Sequence, residues 1–306
     1  MARQHTVLKG TAAVKTGHAS GIRPVRFTPP TPETGDIEVL SLERMRARSG
    51  REEFLDTQRL EFDLLLRVDR GEAVHTVDFT RHPLVPGDVL WVRAGQVQQW
   101  GRIEDIDGPV VLFNAHAVDD RTQRLVTSAG VRTPNHWPAA TLDGSPVEAA
   151  WSLLLACGGR EPVGGRAELT AAALAHAVGA LLSLLAAARP GDVTAAATPT
   201  HEAYVWFRDE IDRRFAAWHK VTQYADRLGY STRTLNRVSR ANTGRSAKQL
   251  VDERIVLEAK RLLSHADAPV AEIATQLGFD DASNFSSYFL RRVGQTPGSF
   301  RASSTP

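Results

Sequence analysis

Apolar and polar positions alternate in three successive textures along this chain. From Ile37 to about Val118, short apolar runs are broken every few residues by Gly, Pro and Asp, a strand-and-turn pattern. It predicts strands at Ile37–Leu42, Leu60–Val68, Ala73–Phe79, Val89–Arg93, Gln96–Trp100 and Val110–Ala117. Turn signals at Asp69–Gly71, Pro86–Asp88 and Asp107–Pro109 separate them, as in a small antiparallel barrel or sandwich. After Pro146 the texture changes. Val147–Cys157 and Arg166–Ala188 are rich in the strong helix formers Ala and Leu, and Gly158–Gly165 between them breaks the helix. In the second helix Leu174, Val178, Leu181, Leu182 and Leu185 form one apolar stripe. That stripe suits packing on the barrel or a helix pair in a dimer. A membrane span is disfavoured, because the stretch leans on Ala and contains His176.

Residues 201–306 read as almost wholly helical, and they repeat. VTQYADRLGY (Val221–Tyr230) matches VAEIATQLGF (Val270–Phe279) at an offset of 49. After one inserted residue the offset becomes 50, pairing Leu235 with Phe285, Gly244 with Gly294 and Ser246 with Thr296. Each copy reads as a short amphipathic helix, a glycine stop, a polar turn and a second helix. Small Ala225 and Ala274 let the second helix cross closely, while Gly229 and Gly278 suit the left-handed end of the first. Ser231 or Thr232, and Asp280 or Asp281, are placed to cap the following helix. This is helix-turn-helix grammar, in which the second helix enters the major groove. The connecting segment Ala247–Ser264 predicts a rod about 27 Å long. Adjacent major-groove faces lie about 34 Å apart, so one rod could set two readers on one face of a duplex.

Flanking segments complete the organisation. Residues 1–35, poor in large apolar residues and ending in Pro29, Pro30 and Pro32, read as a flexible arm. Residues 36–188 form a barrel (36–120) with helices (147–188). Arg189–Thr200 is a linker, and 201–306 is the helical domain.

Composition sharpens this in two places. With 42% hydrophobic residues in 306, wholesale disorder is excluded. The single cysteine, Cys157, excludes an intramolecular disulfide framework and Cys-based zinc fingers, and suits a reducing cytosol. No apolar run follows the N-terminal MARQHTVLKG, so no secretory signal is read there and a cytoplasmic location is expected. The net charge of +2 hides an asymmetry. Residues 201–306 carry 16 Lys/Arg against 12 Asp/Glu, and Arg227 to Val251 holds Arg227, Arg233, Arg237, Arg240, Arg245 and Lys248 with no acid. Such a run is either a solvated helix face or a phosphate-facing surface.

From Tyr204 to Arg301 the chain resembles the AraC-type transcription regulators. The likeness is sharpest in VAEIATQLGFDDASNFSSYFLRRVGQTPGSFR (Val270–Arg301), and the family's linker helix resembles RIVLEAKRLL (Arg254–Leu263). The resemblance implies a double-stranded promoter operator as partner. It puts the base-reading positions on Arg233, Thr234, Asn236 and Arg237 in the first unit, with Arg240 beside them. In the second they fall on Ala282, Ser283, Asn284, Ser286 and Ser287. Arg233 and Arg237 have the geometry for guanine and Asn236 for adenine. Ser239 departs from the family pattern, which has phenylalanine there, as Phe289 is in the second repeat. The first unit is therefore expected to pack less tightly, or Trp218 to fill the gap.

Leu84–Gln98 resembles the cupin PGD…G..H hairpin, with Gln98 where metal-binding cupins place histidine. His75-Thr-Val-Asp78 lacks the H-x-H spacing, so neither metal nor other cofactor is expected. A ligand pocket built from Trp91, Gln98, Trp100 and His116 is expected instead. The fold class implied is multidomain α+β: an N-terminal cupin-like antiparallel β-barrel with a helical dimerisation segment, then an all-α domain with two helix-turn-helix units. The function implied is a DNA-binding regulator rather than an enzyme, an activator by resemblance. Its partners would be DNA, a small-molecule effector, a second copy in a homodimer, and RNA polymerase, with no membrane. A cupin-type enzyme with an appended helical domain, and a regulator whose N-terminal half only dimerises, are the alternatives.

Overall fold

The computed structural model describes residues 6–8, 23–29, 36–49, 51–128, 134–158, 167–188, 199–266 and 268–304. The chain divides into two compact units: Met1–Val126 with Thr133–Val193, and Thr127–Arg132 with Thr194–Pro306.

The first unit opens with β1 (Thr6–Leu8), β2 (Arg23–Phe27), β3 (Ile37–Ser41), helix α1 (Leu42–Ser49) and β4 (Gln58–Leu60). Strands β5 (Asp63–Arg67), β6 (Arg70–Gly71), β7 (Ala73–Val77), β8 (Thr80–Leu84), β9 (Val89–Val92) and β10 (Val97–Gln99) follow. Then come β11 (Ile106–Asp107), β12 (Pro109–Phe113), α2 (Asp120–Ser128), β13 (His136–Trp137), α3 (Ala139–Leu142), α4 (Val147–Gly158) and α5 (Ala167–Ala187). A six-stranded sheet runs β1-β2-β4-β10-β7-β8 and a five-stranded sheet β13-β9-β5-β12-β3, with β11 and β6 forming a short ribbon.

Three layers explain the sequence pattern. DLLLR, VLWV and PVVLF are nearly continuous apolar runs because the five-stranded sheet is buried on both faces. One face packs Leu64, Leu66, Leu90, Val92, Val110 and Leu112 into a core with Leu60, Phe62 and Trp100. The other packs Leu65, Trp91, Val111 and Phe113 against Trp151, Leu154 and the α5 stripe. Leu174, Val178, Leu181, Leu182 and Leu185 are all buried there, so the stripe is consumed inside the unit and is not free to pair with a second copy. Helix α5 is long and apolar enough to cross a membrane by length and composition, yet in this fold that stripe covers the sheet. Trp137 Nε1 donates to Leu185 O at 2.8 Å, tying β13 to the end of α5. Gly158 ends α4 so close to β3 that a Cβ there would stand 2.5 Å from Val39 Cβ.

Three sequence expectations change. Arg23–Phe27 lies in the segment read as an arm, but it pairs in parallel with β4, because alternating Val25 and Phe27 are buried. The pairs β1–β2 and β2–β4 are parallel, so the first sheet is not wholly antiparallel. The strand expected to reach Leu42 stops at Ser41, where α1 begins with Ser41 Oγ accepting from Arg44 N. Of the arm, residues 1–5, 9–22 and 30–35 lie outside the described residues, as does the 189–198 part of the linker.

Among the described residues from 199 on, the regular elements of the second unit are helices: α6 (Pro199–Arg214), α7 (Val221–Leu228), α8 (Thr232–Thr243), α9 (Ala247–His265), α10 (Val270–Gln276), α11 (Ala282–Val293) and α12 (Pro297–Ser304). Two cores serve it. Phe207, Ile211, Tyr224, Ala225, Leu235, Val238 and Ile255 form one; Ala259, Ile273, Ala274, Leu277, Phe285, Phe289 and Phe300 form the other. Helix α9 contributes to both.

Candidate nucleic-acid interface

Each repeat folds as the pattern dictates. In the first, Gly229 ends α7 at φ 69°, and Tyr230 N returns to Ala225 O at 3.0 Å. Ser231 then caps α8, its Oγ accepting from Thr234 N at 3.0 Å. In the second, Gly278 takes φ 76°, and Phe279 N returns to Ala274 O at 2.9 Å. Asp281 caps α11, accepting from Asn284 N at 2.7 Å. Helices α8 and α11 both end on left-handed glycines, Gly244 and Gly294. Between them α9 begins with a reciprocal Ser246–Gln249 capping box.

The acid-free run resolves into two groups. Arg227 faces Glu210, Arg245 pairs with Glu253 at 2.6 Å and Lys248 pairs with Asp252, so these three cations serve the fold. Arg233, Arg237 and Arg240 stand exposed at i, i+4 and i+7 on α8, while Leu235, Val238 and Ser239 face inward. Together with Thr234 and Asn236, the three arginines line a shallow surface depression. A recognition helix lying along the major groove reads with this spacing.

Asn236 is the exception in the row. Its Nδ2 donates to Thr232 O at 3.1 Å, and its Oδ1 accepts from Ala247 N at 3.1 Å. The amide nitrogen is engaged within α8, and the amide oxygen joins α8 to the start of α9. Asn236 therefore staples the helix end, and an adenine contact would have to share its amide with these two bonds. On α11, Ser283, Asn284 and Ser287 are exposed and Ala282 and Ser286 half-buried. Asn284 Nδ2 donates back to Asp281 Oδ2 at 2.7 Å, which leaves its carbonyl to face outward chemistry.

The two readers are locked to one another through contacts that the sequence did not announce. A Cβ on Gly278 would stand 2.0 Å from Ala216 O, so the second turn lies directly against the segment before α7. Beside it His219 donates from Nε2 to Leu277 O at 2.8 Å, with its ring centroid 4.6 Å from that of Phe279. Burial lowers the His219 pKa, the Leu277 carbonyl opposes that, and Lys248 adds to the lowering. Across the rod, Asp252 on α9 accepts from Tyr288 OH and from Arg292, both at 2.7 Å, and from Lys248. Burial works to raise the Asp252 pKa, but those three donors hold it below the ordinary carboxylate value. In the first repeat Ser239 is wholly buried, with no hydrogen-bond partner for its hydroxyl, where the second repeat has buried Phe289.

The expected ligand residues in the first unit do not converge. Trp91 faces the helix-side core, its Nε1 donating to Asp63 Oδ1 at 2.7 Å. Gln98 and Trp100 face the opposite core. His116 is exposed and pairs with Asp36 at 2.5 Å. Alternation along β9 sends Trp91 to one face of the sheet, and His116 lies beyond β12. Only Gln98 and Trp100 share a cavity, walled by Val25, Met45, Phe54 and Phe62 and of about 10 Å³, room for a single water. Among the described residues, no group of three or more His, Cys, Asp or Glu is placed to hold a metal.

Two capped helix-turn-helix units on one shared rod, the first presenting a row of arginines, define a DNA-binding domain. Residues 224–303 match the sequence profile of a helix-turn-helix domain. The transcriptional activator RhaS of Escherichia fergusonii is 24% identical over 250 residues, covering 79% of this chain and 85% of that protein. RhaR of Salmonella schwarzengrund, also a transcriptional activator, is 24% identical over 249 residues with the same coverage. Unsaturated-fatty-acid-bound ToxT of Vibrio cholerae aligns over 87% of this chain and 94% of its own, at 10% identity and a TM-score of 0.38. The chain is a DNA-binding transcription regulator, similar in its C-terminal domain to the AraC-type regulators.

Proposed function

We infer that the chain binds promoter DNA as a two-reader module and activates transcription under control of its N-terminal unit. The observation that carries this reading is the exposed row Arg233–Arg237–Arg240 on the second helix of a capped helix-turn-helix. Arg233 and Arg237 read guanine, Arg240 continues the same row toward the duplex, and Thr234 supports them. Ala282, Ser283, Asn284, Ser286 and Ser287 face the adjacent major-groove segment. Domain boundaries at 36–188, 189–200 and 201–306 go with this reading, as do a cytoplasmic location and contact with RNA polymerase. Activation is inferred from the relatives RhaS and RhaR, both named as activators. Homodimerisation is assigned to the outer faces of α4 and α5, where Leu153 and Leu169 are exposed.

A second reading has its own support. The N-terminal core is filled around a cavity of about 10 Å³, which suits a unit that dimerises without taking an effector. An effector larger than water requires that core to open.

Footprinting on upstream DNA tests the main reading. The expected result is protection of two adjacent major-groove segments per protomer; protection of one segment overturns the two-reader module. Arg237→Ala is expected to cost about 1–3 kcal/mol at a cognate site and far less on unrelated DNA. Equal weakening on all sequences would make Arg237 a phosphate contact instead. Thermal shifts across a metabolite panel separate the effector-bound from the effector-free reading.

A further inference from the structure

The internal repeat allows the two readers to be compared position by position. At an offset of 50, Arg233 corresponds to Ser283, Arg237 to Ser287 and Arg240 to Leu290. All six side chains are exposed on the outer row of their helix. Leu290 is 44% exposed although α11 has filled its inner face with Phe285, Tyr288 and Phe289. The row that carries three cations on α8 therefore carries two hydroxyls and one branched alkyl group on α11.

Charge around the second row points the same way. The turn before α11 contributes exposed Asp280 and Asp281, where the first turn has only Ser231. Of the cations after Leu290, Arg292 is drawn to Asp252 and stacks over Tyr288 at 3.6 Å. Arg291 is exposed one residue beyond the row, at the position of Ala241 in the first repeat. A helix so equipped gains little from guanine, whose major-groove edge offers two acceptors that want cationic donors. Thymine offers the opposite surface, a 5-methyl group that rewards apolar contact, beside one acceptor within reach of a serine hydroxyl.

We propose that the second reader selects thymine-rich sequence, with Leu290 as a specificity-determining residue that packs on thymine 5-methyl groups and Ser283 and Ser287 donating to the base edges. The first reader selects guanine-containing sequence and supplies most of the electrostatic attraction. This rests on the two-reader reading above. It predicts an operator of unequal halves, guanine-bearing under α8 and thymine-bearing under α11.

The test uses the full chain and duplexes that it selects from random-sequence DNA, with binding followed by fluorescence anisotropy. Replacing thymine by deoxyuridine deletes only the methyl group. In the α11 segment this should weaken the native protein by about fourfold per contacted methyl, the factor corresponding to one buried carbon, and should leave Leu290→Ala unaffected. In the α8 segment it should change neither protein. Leu290→Arg should steepen the salt dependence by about one counterion and relax the thymine requirement. The proposal is overturned if deoxyuridine weakens the native protein and Leu290→Ala equally, if it weakens neither, or if selection yields guanine in both segments. A chain that selects no sequence takes the two-reader reading down as well, whereas selection confined to the α8 segment removes the second reader alone.

Discussion

Tyr288 on α11 donates its hydroxyl to Asp252 on α9 at 2.7 Å. The bond spans 36 residues and ties the second recognition helix to the rod that it shares with the first. Burial and the neighbouring Asp252 charge push the Tyr288 pKa up, so the hydroxyl remains a donor across the working pH range. Because the Asp252 pKa is depressed in the fold, its contribution is full above the ordinary carboxylate value of 3.8 and is lost as pH falls through the lower folded value. Tyr288→Phe should cost about 1.5–3 kcal/mol, the range for a hydrogen bond to a charged group. Thermal melts of the full chain at pH 7 and pH 3 check this: the cost should be present at pH 7 and shrink at pH 3.

The Asn236 staple gives the second prediction. Asn236→Ala removes a donor to Thr232 O and the acceptor for Ala247 N, both half-buried. A loss of about 1–2 kcal/mol of stability is expected, with base preference unchanged for the protein that remains folded. Asn236→Asp keeps the acceptor and should recover part of the loss. Selection of binding sites by both variants is the decisive readout. Relaxed preference at one adenine, without a drop in melting temperature, would return Asn236 to the groove.

Local grammar and long-range contact divide what the sequence could reveal. The helix-turn-helix units were legible because Ala225, Gly229 and Ser231, and Ala274, Gly278 and Asp281, specify their turns within ten residues. The engaged state of Asn236 was not, since its partner Ala247 lies beyond the Gly244 stop. Likewise the pairing of Arg245 with Glu253 reaches from the acid-free run onto α9. In the first unit, alternation predicted strands, but a sheet buried on both faces loses the alternation that would tell which face Trp91 takes. The parallel pairing of β2 was hidden by Pro29, Pro30 and Pro32, which follow it and suggested an unstructured arm.

Ser239 provides the third prediction. Its hydroxyl is buried with no partner, at a position where the other repeat has Phe289. Ser239→Ala removes an unsatisfied group and improves helix propensity, so the second unit should gain about 1 kcal/mol. Ser239→Phe should instead destabilise by about 1–3 kcal/mol, because this core has already closed around the smaller residue. Hydrogen exchange of α7 and α8 amides in the full chain measures both.

The last prediction concerns pH and the core of the first unit. Gln58 Nε2 donates to Glu53 O, and Gln98 Nε2 donates to Gln58 Oε1 at 2.9 Å. A backbone carbonyl can only accept, so the direction of the whole chain is fixed, and His75 must donate from Nε2 to Gln98 Oε1 at 3.1 Å. Its Nδ1 then carries a lone pair with no partner, in a site that is 1% exposed and closed by the edge of Trp100. Protonation would put a second N–H where nothing accepts it. Burial accordingly lowers the His75 pKa to about 3, against help from Gln98. The sign follows from linkage: the unfolded chain binds this proton near the ordinary value of 6.5 and the folded chain does not. Stability contributed by neutral His75 is full above 6.5 and declines, by up to about 1.4 kcal/mol per pH unit, as pH falls toward 3. His75→Gln keeps a donor for Gln98 and has no proton to gain. Its melting temperature should be lower than that of the native protein at pH 8, while the gap narrows steadily between pH 6 and pH 4. A gap constant across that range would show that His75 is already protonated in the folded core.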